Sequence, residues 1–168
     1  MSKAFTRETD DEPVPPAHRR GVPMPEPNYM TPAGARAARA ELATYLDERA
    51  EDTRGGDPAG SAGGAGSGVP RGIHEARIRE LTEHLATAQI IEPPADRSIA
   101  GLGAAVTIED AAGKRTRYRI VGALEADARR GLVFWQSPLA EALYGTRVGD
   151  PITLPRGGEA EVVAVEYE

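Results

Sequence analysis

The sequence has no cysteine. That excludes a disulfide scaffold, a thiolate metal site and a cysteine nucleophile, and it suits a reducing cytosol. Aromatic residues make up only 5% of the 168 residues, with one Trp, which leaves little material for an aromatic-lined ligand pocket. No apolar run approaches the ~18 residues of a membrane span. The N-terminus lacks the apolar core of a secretory signal, so a cytoplasmic protein with no membrane partner is expected. Strongly basic segments are missing too. Residues 1–30 carry 4 basic and 5 acidic groups, 31–92 carry 7 and 10, and 93–168 carry 9 and 11, within a net charge of −6. Autonomous duplex binding depends on neutralising phosphates with Lys and Arg. A protein partner is the better fit.

Breakers are abundant. With 19 Gly, 14 Pro and 27% charged residues, one large core is not expected and part of the chain should be unordered. Residues 1–27 hold Pro13, Pro15, Pro16, Pro23, Pro25 and Pro27 without any period, and read as a disordered tail with solvated charges at Asp10-Asp11-Glu12 and Arg19-Arg20. At Thr31-Pro32 the texture changes. Thr31 is a suitable N-cap and Pro32 a suitable first helical residue, with Tyr29 and Met30 placed to pack back as a staple. Ala35, Ala38, Leu42 and Tyr45 recur at spacings of 3, 4 and 3. This predicts an amphipathic helix running to about Glu51.

Residues 55–68, Gly-Gly-Asp-Pro-Ala-Gly-Ser-Ala-Gly-Gly-Ala-Gly-Ser-Gly, have a flexible-linker composition. No Lys-Ser or Lys-Thr follows, so a phosphate-binding loop is not indicated. A second helix is predicted from about Ile73 to Gln89, with Ile78, Leu81, Leu85 and Ala88 forming its seam and Arg77, Arg79, Glu80 and Glu83 facing outward. Two such helices make an antiparallel hairpin spanning 28–92, with its tip at 55–70. His74 and His84 fall on different faces and read as solvated side chains. Residues 93–102 read as a linker.

From Gly103 the period becomes that of a sheet. Strands are predicted at Ala105–Asp110, Arg115–Val121, Leu132–Trp135, Ile152–Leu154 and Ala160–Tyr167. Arg115, Arg117 and Arg119 alternate along one of them and would form a basic face. Ser137 and Pro138 have the residue types of an N-cap and first helical position, Leu139, Ala142 and Leu143 repeat at helical spacing, and Gly145 has the residue type of a C-cap. Five short strands around one helix form a small α+β domain, residues 103–168, with Trp135 packed near the helix. The expected fold class is therefore α+β: an N-terminal antiparallel helical hairpin, then a small α+β domain.

The series Gly103-Ala104, Val106, Ile108, Tyr118, Ile120-Val121-Gly122, Glu125-Ala126-Asp127, Gly131, Ser137-Pro138-Leu139-Ala140, Ala142-Leu143, Gly145 and Gly149-Asp150 resembles the C-terminal domain of the Gre-type (GreA/GreB) bacterial transcription elongation factors. Tyr29, Thr31-Pro32, Gly34, Glu41 and Leu42 are similar to the opening of that family's first helix. The resemblance implies an FKBP-like fold for the second domain. It also implies a monomeric partner of RNA polymerase at its secondary channel, touching nucleic acid only through the polymerase complex. In such factors acidic residues at the hairpin tip help hold the polymerase Mg²⁺ while backtracked RNA is cleaved. The candidate tip acids are Glu51, Asp52 and Asp57; the candidate polymerase-binding residues are Gln136, Ser137, Pro138 and Leu139. An Asp often precedes Ser-Pro in the family, where this chain has Gln136. The family's acidic Gly-Asp-Leu-Ser-Glu-Asn-Ala-like tip is replaced here by the Gly-rich run, and the span between the helices is shorter. No cofactor or metal of its own is expected, nor enzymatic activity beyond stimulating cleavage by the polymerase. A non-catalytic channel competitor, resembling the regulators of nucleoside diphosphate kinase, is the alternative. A prolyl isomerase is a third reading, and a hydrolase is weaker still.

Overall fold

A computed structural model describes residues 22–54 and 71–167. Strand β1 (Tyr29–Met30) leads into α1 (Pro32–Arg54); α2 (Arg71–Thr87) returns and ends in β2 (Gln89–Ile90). Tyr29 pairs with Gln89 and Met30 with Ile90 in parallel. The base of the hairpin is thus clasped by a two-strand ladder, which the sequence, with only two residues per strand, does not announce. α1 continues one turn beyond the expected Glu51, and α2 begins and ends two residues earlier than expected. At about 1.5 Å per residue the 23-residue α1 is roughly 35 Å long.

The seam is only partly the predicted one. Ala35, Ala38, Ile78 and Leu81 are buried as expected. Leu42, Tyr45, Leu85 and Ala88 are half-buried, while His84 is 2% exposed. The reading of His84 as solvated is corrected: Arg77, Leu81, His84 and Ala88 also recur at spacings of 4, 3 and 4, and along that stripe Arg77 reaches Glu41 of α1 while the His84 ring meets the Val22 carbonyl. Met30 is buried, but as part of β1.

The expected tail at 1–27 is corrected in its last residues. The Val22 N–H donates to Glu80 Oε1 at 2.7 Å, the Val22 carbonyl lies 3.1 Å from His84 Nε2, and the Thr87 hydroxyl meets Met24 Sδ at 3.1 Å. Asn28 Nδ2 then donates to the His84 carbonyl and to Thr87 Oγ1, both at 2.9 Å. Residues 22–28 form a strap along α2. The rest of the expected tail and the Gly-rich run lie outside the described residues.

The second domain is a five-stranded sheet: β3 (Ala105–Asp110), β4 (Arg115–Val121), β5 (Leu132–Phe134), β6 (Pro151–Thr153) and β7 (Glu159–Glu166), in the order β5-β4-β3-β7-β6. β4 and β5 run parallel and the other neighbours antiparallel. A register shift between Thr107 and Ile108 places an extra residue of β7 opposite β3, which bends the strand and increases local twist. The alternation of apolar residues sends Val106, Ile108, Ile120, Ala160 and Val162 into one core, closed by Ala140 and Leu143 of α3 (Pro138–Leu143). Ala100 and Leu102, read from sequence as linker, are buried in that core. Their segment is tied to the far side by Ala100 N–H to Thr146 O at 2.8 Å and Gly145 N–H to Ala100 O at 2.7 Å.

Candidate functional site

Three places carry the side chains singled out above: the hairpin, the face around α3, and the joint between them. Arg77 is central to the hairpin. Its Nε donates to Glu41 Oε1 at 2.8 Å, Nη2 to Glu41 Oε2 at 2.9 Å, and Nη1 to Glu80 Oε2 at 2.7 Å. The Glu41 contact is a bidentate fork between the two helices. The expectation that Arg77 and Glu80 face solvent is corrected, because each is half-buried. The Glu41 carboxylate, its strongest influence, holds the Arg77 guanidinium protonated against the effect of burial. Burial alone would raise the Glu80 carboxyl, but the Val22 N–H and the Arg77 guanidinium outweigh it and leave Glu80 below the usual carboxylate range. Further along, Arg49 pairs with Glu75 at 3.6 Å, and His74 lies 3.7 Å from Glu48 with its ring 5.1 Å from that of Tyr45. His74 therefore sits against α1 and is not a free solvated group.

Of the candidate tip acids, Glu51 lies exposed on the last turn of α1. Asp52 lies on the same turn of helix. Asp57 falls outside the described residues. Among the described residues no group of three or more His, Asp or Glu is arranged to hold a metal.

The face around α3 forms as expected at its start. Ser137 Oγ accepts from the Ala140 N–H at 3.2 Å, and Pro138 occupies the first helical position. The end differs: Tyr144, in extended backbone, is the C-cap, while Gly145 follows with φ of 79° and bonds to Ala100. Gln136 and Pro138 are exposed; Leu139 is half-buried and packs on the core. Sequence reasoning missed Tyr144 and Val148, which are 55% and 62% exposed just beyond the helix. Their exposure is a product of the fold, and no local pattern in the sequence marks it. Arg147 anchors the following turn, its backbone N–H donating to Asp150 Oδ2 at 2.8 Å and its guanidinium 3.5 Å from Asp96. The Ser98 hydroxyl and backbone N–H, bonded to Asp96, hold that carboxyl below its usual range. The predicted basic face of β4 is largely neutralised. Arg115 pairs with Glu109 at 2.6 Å and Arg117 with Glu166 at 3.1 Å, and Arg119 also has a partner.

At the joint, Thr31 caps α1 by accepting from the Gly34 N–H at 3.0 Å. The Glu125 carboxylate, from the loop after β4, accepts from the Thr31 N–H at 2.9 Å, from the Gly122 N–H at 3.1 Å and from the Thr31 hydroxyl. A negative charge at a helix N-terminus is favourable in its own right. Beside it the Tyr29 and Trp135 rings lie 5.1 Å apart, and Trp135 meets Phe134 edge-on at 6.0 Å. Trp135 packs against the core as expected.

A helical hairpin whose first helix is capped from a separate five-stranded domain defines a two-part protein. Its relatives make the class specific. A sequence profile described as "Transcription elongation factor, GreA/GreB, C-term" matches residues 95–167. The transcription elongation factor GreA of Sphingopyxis alaskensis is 36% identical over 148 residues, covering 84% of this chain and 92% of that one. GreA of Xylella fastidiosa is 45% identical over 100 residues, covering 55% and 63%. Among solved structures, GreA factor homolog 1 (Gfh1) of Thermus thermophilus is 29% identical, covering 88% of this chain and 99% of that one, with a TM-score of 0.39, which adds nothing to the sequence match. The chain belongs to the GreA/GreB family of transcription elongation factors.

Proposed function

We propose that this chain binds RNA polymerase at its secondary channel and modulates elongation, with the α3 face on the rim and the hairpin directed into the channel. The observation that supports it most is the GreA match running through both the hairpin and the sheet domain. Within the predicted contact loop, Gln136 and Pro138 are the groups free to meet a partner, joined by Tyr144 and Val148. The Ser137 hydroxyl is committed to its cap and Leu139 to the core. Cleavage stimulation would pass through Glu51, Asp52 and Asp57, carboxylates being suited to share a polymerase-held Mg²⁺ with waters and phosphate oxygens.

A second reading, occupation of the channel without cleavage, is favoured by the sequence of residues 55–68, where Asp57 is the sole acid among Gly, Ser, Ala and Pro. Precise metal chemistry needs groups held by rigid neighbours. RNA cleavage in stalled elongation complexes, with polymerase binding recorded in the same samples, separates the two. Acceleration that disappears in the Glu51/Asp52/Asp57 triple Ala variant supports a cleavage factor. Binding with unchanged or slower cleavage supports a channel occupant. No binding at all overturns both.

A further inference from the structure

We propose that Glu125 is the positioning residue that fixes the direction of the hairpin on the sheet domain, acting as a key between Gly34 and Gly122. The contact joins residues 94 apart in sequence. One carboxylate ties the first turn of α1, through Thr31, to the turn that follows β4, through Gly122. Both glycines are shaped around it. A Cβ at Gly34 would overlap the Glu125 carboxyl group, and one at Gly122 would overlap the Tyr29 carbonyl and lie 2.9 Å from Glu125 Oε2. Neither glycine has a positive φ, so it is close approach that excludes a side chain at both positions. Tyr29 on Trp135 closes the joint beside the key.

The lever is long. A rotation of about 5° at Thr31 moves the far end of a roughly 35 Å helix by about 3 Å. Beside the Tyr29–Trp135 contact, the Glu125 carboxylate supplies two directional bonds from the sheet domain to the first turn of α1, and those bonds set the aim of the hairpin. The consequence for elongation rests on the polymerase reading above; the aim of the hairpin does not.

The absence of cysteine makes the test direct, since Asp47→Cys on α1 and Arg156→Cys on the β6–β7 turn can carry two spin labels for a distance distribution. The single Trp135 reports the joint by its emission. Three variants are compared on this background. Glu125→Ala removes the key. Gly34→Ala leaves the carboxylate present but displaces it. Glu125→Gln retains it in altered form: the amide oxygen accepts from the Thr31 and Gly122 N–H groups while the amide nitrogen donates to Thr31 Oγ1. The expected result is one narrow distance in the parent and in Glu125→Gln. The two Ala variants should show a shifted or broadened distance and red-shifted Trp135 emission, with helix content retained. In elongation complexes those variants should keep polymerase binding and lose their effect on the transcript. A parent-like distance and emission in Glu125→Ala overturns the proposal. So does collapse of both Ala variants, since a positioning residue leaves each unit folded. If the parent fails to bind polymerase, the polymerase reading falls while the distances still decide the role of Glu125.

Discussion

The hairpin and the sheet domain are held together by different physics. The domain has a continuous apolar core in which Val106, Ile120, Leu143 and Val162 have no measurable exposure. The hairpin buries little more than Ala35, Ala38, Ile78 and Leu81 along its seam, and adds the Arg77 fork, the buried His84 and the strap from Val22 to Asn28. Non-directional burial stabilises wherever it occurs. Charged hydrogen bonds stabilise only in one register, because misalignment leaves a desolvated charge without its partner. The domain is therefore the stable platform, and the hairpin is a part whose alignment is specified by polar contacts.

The largest test of that contrast is Leu143→Ala. Removing a fully buried Leu should cost about 2–5 kcal/mol, read as a fall in the melting of the sheet domain. If the cost is below about 1 kcal/mol, α3 is not part of the core. Next, Arg77→Ala strands Glu41 and Glu80, and should cost about 1–3 kcal/mol, read from hairpin helicity by far-UV dichroism while Trp135 emission stays put. A loss shared equally by both regions would erase the distinction.

Ser137→Ala removes a helix cap and should cost about 1 kcal/mol, confined to the domain. The smallest effect is that of pH. Glu80 is depressed in the folded chain, so its contribution is complete above its unfolded value near 4.5 and is lost as pH falls through the lower folded value. The hairpin should loosen in that acid window, and Glu80→Gln should flatten the response. An unchanged acid limb in Glu80→Gln would remove the strap contact from the account.

Much of the domain was legible because its signals are local. Alternation located β3, β4 and β7 to within a residue, and Ser137-Pro138 announced a cap that forms. The joint was not legible. Glu125 lies in a loop with no period, and its partner Thr31 is remote in the chain. Arg77 and His84 sit at the edge of the stripe drawn through Ile78, Leu81 and Leu85, so charge and ring polarity placed them outside, where packing puts them inside. Val22 and Met24 fell in proline-rich sequence with no apolar period, and their contacts are with α2, remote in the chain. Of the residues named from the family resemblance, Gln136 and Pro138 are exposed; the exposure of Tyr144 and Val148 beyond the same short helix is a tertiary property that no local pattern shows.

The most direct measurement is binding to core RNA polymerase by the full chain and by a Tyr144→Ser/Val148→Ser variant, with thermal melting of both. If the α3 face docks the factor, the parent binds, and the variant loses about tenfold or more in affinity, about 1.4 kcal/mol, at unchanged melting temperature. Equal affinities would contradict the assignment of that face, and a parent that does not bind would contradict the function itself.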